Sequence, residues 1–375
     1  MKDITEELRG KLGFGCMRLP MADGNVDIQE FSRMVDAYLA AGFDYFDTAH
    51  GYIEGKSELA LRECLTSRYP RDKYFLVDKL SGSFLNKEED VVPFFENQLT
   101  ACGVEYFDLY LMHSQSAQVF EKFKKLRCYE TVLELKKQGK IRHFGISFHD
   151  TPQVLEQILT EYPQIEVVQL QLNYLDFEDP AIQSGKCYDI CRTFGKPVLV
   201  MEPVKGGHLA NLPEDAEQLF LALGGGSPAS YAIRFAAGFP GVVMVLSGMS
   251  TLSQMEDNLG FMKGFRPLSL MELKTVAQAA ECIRSQNLIS CTACRYCTAG
   301  CPRHIAIPDL FACMNARKKY EDWSSLYYYG VHTAQGGKAS DCIRCGKCES
   351  ICPGDSLQGG GHLRRRKVPR ASVSG

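Results

Sequence analysis

No apolar run in the sequence approaches the ~18 residues of a membrane-spanning helix; the longest, Val242 to Leu246, has the length of a strand. The opening MKDITEELRGKL is polar and acidic, and it lacks the basic-then-apolar order of a secretory signal. Excess charge is also scarce. Lys and Arg number 42 against 45 Asp and Glu, a net of −3, which gives no general attraction to nucleic acid or anionic lipid. The one basic run, Arg364-Arg365-Arg366-Lys367, follows three consecutive glycines in an almost apolar-free stretch and reads as a solvated terminus. No G-x-G-x-x-G follows an early strand-like run, which weighs against a doubly wound dinucleotide-binding sheet. These absences remove membrane and nucleic-acid partners from consideration. They leave a chain of ordinary globular composition, 45% hydrophobic and 23% charged.

Cysteine, by contrast, is abundant. Of 16 cysteines, eight fall in two motifs near the C-terminal end and the rest are scattered through a large apolar-cored region. That distribution fits a reducing cytoplasm with bound metal better than a disulfide framework. At 375 residues the chain also exceeds what one hydrophobic core usually serves, so a large domain plus a smaller one is expected.

From residue 12 to about 263, short apolar runs alternate with longer amphipathic ones. The runs are Leu12–Met17, Phe43–Phe46, Tyr74–Val77, Phe107–Met112, His143–Ser147, Glu166–Leu172, Pro197–Met201 and Val242–Leu246. They are too short for helices, and their near-continuous apolarity predicts parallel strands buried on both faces. Helix-period segments separate them. One places Ile28, Phe31, Val35 and Leu39 behind the N-cap Asp27 and ends at Gly42. Another begins at Ser227-Pro228, a cap followed by proline at the first helical position. Eight strands and about eight helices over roughly 250 residues predict a (β/α)8 TIM barrel, with the doubly wound sheet as the alternative. The strand rhythm stops near 268, and Leu270 to Arg284 has helical character. The expected division is residues 1–280 as the barrel, 281–353 as a small mainly helical unit, and 354–375 as a disordered basic tail.

In a barrel, chemistry comes from the C-terminal ends of the strands and the loops that follow. Those ends carry Asp47 and Tyr52 in FDTAHGY, Lys79 in LVDKL and His113 in LYLMHS. Each alone has a plain structural reading, as a helix cap, an edge charge or a core histidine. Together they make a device for carbonyl reduction. A tyrosine with an ordinary pKa near ~10 is a weak acid unless a cation lowers it. A lysine on the next strand supplies that cation, an aspartate holds the lysine, and a histidine orients the carbonyl oxygen.

On these residues the stretch 12–263 resembles the aldo/keto reductase family. DTAHGY, DKL and LMHS match the family's catalytic tetrad, which implies Asp47, Tyr52, Lys79 and His113 as catalytic residues. GFGCMRLP resembles its opening strand and implies cofactor contacts at Gly15 and Met17. FGIS implies that Ser147 contacts the nicotinamide carboxamide, with Gln169 of VVQLQLNY in a similar role. VLSGMSTLSQMEDN resembles the adenosine-phosphate loop, which adds Gly248, Gln254 and Asn258 of the Asp257-Asn258 pair. The position that often stacks an aromatic on nicotinamide is Met201, whose sulfur packs more loosely. The positions that carry basic residues in NADPH-selective members are Gly248 and Gln254, so the cofactor is NADPH or NADH, with Lys205 or Lys263 as substitute cations. The resemblance implies reduction of a small aldehyde or ketone.

The two cysteine motifs, CTACRYCTAGCP and CIRCGKCESICP, share the spacing C-x2-C-x2-C-x3-C-P. Three thiolates on a tight loop grip one cubane, and the fourth is directed to the other cluster. The expected sets are Cys291, Cys294 and Cys297 with Cys352, and Cys342, Cys345 and Cys348 with Cys301. Zinc needs neither the third cysteine nor the Cys-Pro ending, so two 4Fe–4S clusters are the expected cofactors. The roughly 40-residue helical separation resembles α-helical ferredoxins and implies a ferredoxin or other one-electron carrier as partner. An alternative follows: the chain is an electron-transfer or redox-sensing protein whose clusters couple the barrel to that partner.

Overall fold

All eight apolar runs form strands in the computed structural model, which describes residues 3–285, 289, 291–320, 323–334 and 336–352. Pro353 and the stretch 354–375, with its basic run, lie outside the described residues. The strands are β1 (Leu12–Gly15), β2 (Tyr45–Asp47), β3 (Phe75–Leu80), β4 (Phe107–Gln115), β5 (Ile141–Phe148), β6 (Val167–Gln171), β7 (Val198–Met201) and β8 (Val242–Ser247). Each pairs in parallel with the next, and β1 closes on β8 through Leu12↔Val245 and Phe14↔Ser247. The sheet is therefore a closed barrel, and the open doubly wound alternative is excluded. Among the described residues no helix is long and apolar enough to cross a membrane.

Side-chain alternation along the strands divides the barrel into two layers. Tyr45, Phe75, Val77, Leu109, Leu111, Val167, Leu199, Met244 and Leu246 pack together in the interior, with Ile4 of the short helix Ile4–Glu7 added to them. The intervening residues, among them Phe14, Phe46, Leu76, Tyr110, Ile146, Val168, Val200 and Val245, pack outward against the helices. The inward parity continues to the C-terminal strand ends: 45 and 77 share a face with 47 and 79, and 109, 167 and 199 with 113, 169 and 201. Gly145 belongs to the inner layer but has no room for a side chain. A Cβ there would lie 2.6 Å from the Val167 carbonyl oxygen.

The helix starts follow their caps. Asp27 accepts from the Glu30 amide at 3.0 Å at the head of Ile28–Ala40, and Ser227 accepts from the Ser230 amide at 3.1 Å ahead of Pro228–Ala237. The hairpin of Met21–Ala22 with Asn25–Val26 was not signalled by periodicity, because two-residue strands carry none.

The chain divides into two compact units, one of Met1–Phe177 and Ser184–Ala279, the other of Glu178–Gln183 and Ala280–Gly375. The second is built on helices Ile307–Tyr320 and Trp323–Ala334. Its core gathers Ile289, Cys297, Ile305, Ile307, Leu310 and Phe311, with Cys301, Cys342, Cys348 and Cys352 packed against them. Asn315 ties Ile289 in place through both its backbone N–H and its C=O, at 3.0 and 2.9 Å. The unit also incorporates a piece of the chain between β6 and helix Ser184–Thr193. Ala181 and Ile182 pack with Cys313 and Tyr328, and His332 Nε2 lies 2.8 Å from the Ala181 carbonyl.

Candidate functional site

The C-terminal ends of β2 and β3 bring a carboxylate and an ammonium together in the barrel mouth. Lys79 Nζ donates to Asp47 Oδ1 at 2.6 Å, to the Thr48 carbonyl at 2.7 Å and to the Tyr52 hydroxyl at 3.3 Å. The lysine side chain is 0% exposed. Gln169, on the inward face of β6, donates from Nε2 to the second oxygen of Asp47 at 3.0 Å. Tyr52 follows β2 on a loop whose next three residues, Ile53, Glu54 and Gly55, all have positive φ. His113 completes the group: its ring meets the Tyr52 ring edge-on, with centroids 6.0 Å apart, and its Nδ1 lies 2.7 Å from Ser81 Oγ. Asp47, Tyr52, Lys79 and His113 thus occupy one site. Thr48 and Ser81 were not anticipated. Ser81 lies two residues past Lys79, and strand alternation is the signal that marks it.

The electrostatics differ from the sequence expectation in one respect. Burial works against the charge on Lys79, but Asp47 and Tyr52 outweigh it and hold the ammonium above its ordinary range. Tyr52, however, is not net-acidified. Burial raises its pKa and exceeds the lowering by Lys79, with Asp47 and Glu202 adding to the rise. Sequence reasoning named the cation and omitted the desolvation opposing it. His113 is pushed well below the usual imidazole range by burial, then by Lys79 and His149. It is neutral. In the tautomer in which Ser81 donates to Nδ1, Nε2 carries the proton and is a donor for an oxygen ligand.

The residues expected to contact a nicotinamide cofactor are distributed over several elements. Ser147 and Gln169 are register partners across β5 and β6, and Ser147 Oγ accepts from the Ser114 amide at 3.1 Å. Gly15 lies beside the Ser247–Gly248 backbone, where a Cβ would make ordinary contact at 3.5 Å from the Ser247 carbonyl oxygen. Asn258 is buried and donates to Ser247 Oγ at 2.7 Å, fixing the end of β8. Gln254 is exposed and accepts from the Ser250 amide at 2.8 Å. Met17 is exposed and Met201 half-buried. Asp257 accepts from Ser227 at 2.6 Å.

Lys205 does not substitute for a phosphate-binding cation. It is buried and donates to Asp176 at 2.5 Å, and Asp176 is also held by Gln171 and Asn173. Lys263 is exposed at the far end of helix Leu252–Met262 from Gln254. The cation beside Gly248 is Arg18, missed in the sequence. It is 41% exposed, and its guanidinium lies 3.6 Å from Glu202. Glu202 follows β7 directly with φ of 56°.

In the second unit the cysteine loops turn sharply, with Ala293, Arg295, Arg344 and Gly346 at positive φ. Arg295 makes a two-bond fork to buried Asp309, at 2.8 and 2.6 Å, and a 3.4 Å bond to the Pro180 carbonyl. Burial raises the Cys291 thiol, and the charges of Cys294 and Cys352 raise it further. Cys297 is raised by burial and by Cys291 and Cys294, and Cys348 by burial, Glu349 and Cys342. Cys352, the last cysteine of the second motif, packs against the same cluster as Cys297 of the first. This donor set fits iron–sulfur clusters. Among the described residues no three His, Cys, Asp or Glu side chains converge as a single-ion site. Cys187 and Cys191, one turn apart, are buried in the barrel's outer layer.

Comparison with known proteins agrees with this geometry. Residues 11–281 match the family described as Aldo/keto reductase family, and residues 290–357 match a 4Fe-4S dicluster domain. An NADH-specific methylglyoxal reductase of Escherichia coli is 27% identical over 229 residues, covering 55% of this chain and 67% of that protein. A D-galacturonate reductase of Fragaria ananassa is 30% identical over 214 residues, covering 52% and 62%. Among solved structures, an aldo-keto reductase from Klebsiella pneumoniae in complex with NADPH superposes with a TM-score of 0.58 at 20% identity, covering 71% of this chain and 89% of its own. The holo form of one from Bacillus halodurans gives 0.58 at 24% identity, covering 72% and 91%. The chain belongs to the aldo/keto reductase family and carries a 4Fe-4S dicluster domain behind the barrel.

Proposed function

We propose that the barrel reduces an aldehyde or ketone to an alcohol at the expense of NADPH or NADH, with Tyr52 as general acid. The observation that carries this is the buried Lys79 ammonium, bonded at once to Asp47 and to the Tyr52 hydroxyl. The nicotinamide, when bound, supplies hydride to the carbonyl carbon. Tyr52 gives its proton to the carbonyl oxygen, and the phenolate that forms is stabilised by Lys79 at hydrogen-bond distance. Asp47 keeps Lys79 charged and aimed, and Gln169 holds the other oxygen of Asp47. Neutral His113 directs its Nε2 proton at the same carbonyl oxygen. Ser147, Gln169, Gly15, Met17, Met201, Gly248, Gln254 and Asn258 are the proposed cofactor contacts. The E. coli relative is named for NADH and the Klebsiella structure holds NADPH, so the choice between them rests on the exposed cation Arg18. Tyr52→Phe tests the assignment: kcat should fall about 10^2–10^4-fold with cofactor binding retained, and undiminished turnover sinks it.

A second reading accompanies the first because 290–357 match a dicluster domain. The proposed unit starts near residue 280 and holds two 4Fe–4S clusters on the cysteine sets given above. Clusters of this kind supply one-electron transfer, whereas hydride moves two electrons together. The carbonyl step needs no iron, so the clusters serve a ferredoxin-type partner or report its redox state. Anaerobic purification should give about eight irons per chain. Replacing Cys294 and Cys345 with alanine should abolish electron exchange with a small ferredoxin and leave NADPH-driven carbonyl reduction in place.

A further inference from the structure

On the opposite side of β3 from Lys79, between the barrel and its helices, lies a polar cluster that the reaction above does not use. Glu58, on helix Lys56–Leu61, and Asp78, on β3, are 1% and 0% exposed. Burying two carboxyls in one place is costly unless each is hydrogen-bonded and the pair does not carry two charges. The Asp78 and Glu58 carboxyls are hydrogen-bonded to one another, and burial, then the Glu58 charge, push Asp78 well above the usual carboxylate range. Glu58 Oε2 pairs with His50 Nδ1 at 2.9 Å, and its Oε1 accepts from Gln98 at 3.3 Å.

The same cluster grips the backbone of the catalytic lysine. The Lys79 amide donates to Asp78 Oδ1 at 2.8 Å, and the Lys79 carbonyl accepts from the same Gln98 amide nitrogen at 3.1 Å. Gln98 is set in turn by the Tyr110 hydroxyl at 2.5 Å. His50 and Glu58 also bracket the loop that carries Tyr52, whose residues Ile53 and Glu54 sit in the left-handed region that side chains disfavour. A second bond, Thr48 Oγ1 to Ser57 Oγ at 2.8 Å, closes the same loop. His50 is wedged edge-on against Phe84 and Phe94, with ring centroids at 4.9 and 5.0 Å. One network therefore holds both the unfavourable loop of the acid and the strand of the cation.

We propose that Glu58 and Asp78 form a carboxyl clamp, a pair of positioning residues that fixes the Tyr52 hydroxyl against Lys79. The clamp rests on the tetrad reading above and deepens it. The groups facing the pair are His50, Gln98, Tyr110, Cys102 and Lys79. A folded-state acid with a raised pKa adds stability below its unfolded pKa and loses it as pH rises through the folded value.

The test uses the purified holoprotein with NADPH and methylglyoxal, an α-oxoaldehyde. Glu58→Ala and Asp78→Leu should lower kcat about 10- to 100-fold while KM for both substrates stays within about threefold. Asp78→Asn keeps a donor toward Glu58 and should recover most of that loss. It should also flatten the decline of stability with rising pH seen in wild type. If Glu58→Ala does not fold, Glu58→Met, which fills the space and makes neither the His50 nor the Gln98 bond, is read by the same criteria. A folded Glu58 variant with wild-type kcat overturns the clamp, as does an Asp78→Asn variant with an unchanged pH slope. Should wild type turn over no carbonyl, the reaction assignment fails, and the pH slopes still decide the clamp.

Discussion

The barrel mouth and the cysteine loops satisfy their charges in opposite ways. In the barrel the buried charges have protein partners: Lys79 has Asp47 in the mouth, Asp47 has Gln169 as well, and behind β3 Glu58 has His50, Gln98 and Asp78. In the cysteine loops, Cys291, Cys297 and Cys348 are raised by burial and by neighbouring cysteines. The cation nearest the first set, Arg295, is already forked to Asp309. Such thiols ionise together only when a metal supplies the positive charge. The first region is thus satisfied by the folded protein itself, whereas the second, in the part that matches a 4Fe-4S dicluster domain, calls for a bound group.

The largest expected effect follows from that contrast. Removing iron with a chelator under reducing conditions should cost the second unit its cooperative unfolding while the barrel's transition stays in place. Limited proteolysis reads the difference. Cleavage should appear within 291–352 and also at Glu178–Gln183, since that segment is held by Arg295, His332 and the Cys313–Tyr328 contacts. Cleavage confined to the C-terminal stretch would break the assignment of 178–183 to the cluster unit.

The barrel answers to the opposite perturbation. Lys79→Met strands Asp47 as a buried, half-paired charge, and losing one partner of such a pair costs about 3–5 kcal/mol. Denaturant unfolding of the barrel should show that loss, and adding Asp47→Asn should return part of it. Neither change should alter iron content. Acid provides a third discriminator. Burial holds His149 down to about 4 from 6.5, so the folded barrel binds fewer protons than the unfolded chain between those values. Stability present above pH 6.5 should be lost as pH falls toward 4, by about 3 kcal/mol for this group. His113 is displaced in the same direction. His149→Gln should remove the His149 share, measurable as a shallower pH dependence of the barrel's melting temperature.

What the sequence disclosed tracks how local the determinant is. The eight strands announce themselves through runs of β-branched and aromatic residues, and inward parity carries from Val77 to Lys79 without knowledge of any neighbour. Lys205 was misjudged because its partner Asp176 is 29 residues away, and only the return of the chain after β7 brings them together. The sign of the Tyr52 shift needed burial weighed against charge. The capture of Glu178–Gln183 depends on a contact 115 residues apart in the chain, between Arg295 and Pro180. The clamp escaped notice for a related reason: Glu58 and Asp78 look like an exposed helix charge and a strand polar residue until the barrel closes over them.

The smallest expected effect concerns the rim of the mouth, where the barrel is least self-sufficient. Arg18 is 41% exposed and its contact with Glu202 is long, at 3.6 Å, so as an ion pair it adds about 0–1 kcal/mol to stability. Its consequence is instead for a ligand. Its guanidinium lies beside Gly206 and Glu202 and its stem beside Gly248; if that guanidinium meets phosphate oxygens, the charge-assisted bond is stronger than a neutral one. Arg18→Gln should leave the melting temperature and kcat near wild type and raise KM for NADPH by about three- to tenfold, the loss of about 1 kcal/mol in binding. If Arg18 contacts the 2′-phosphate, KM for NADH stays constant. If it contacts the pyrophosphate, both rise together. A comparison of the two cofactors on this one variant therefore locates the cation along the ligand, and no change in either would show that Arg18 serves only Glu202.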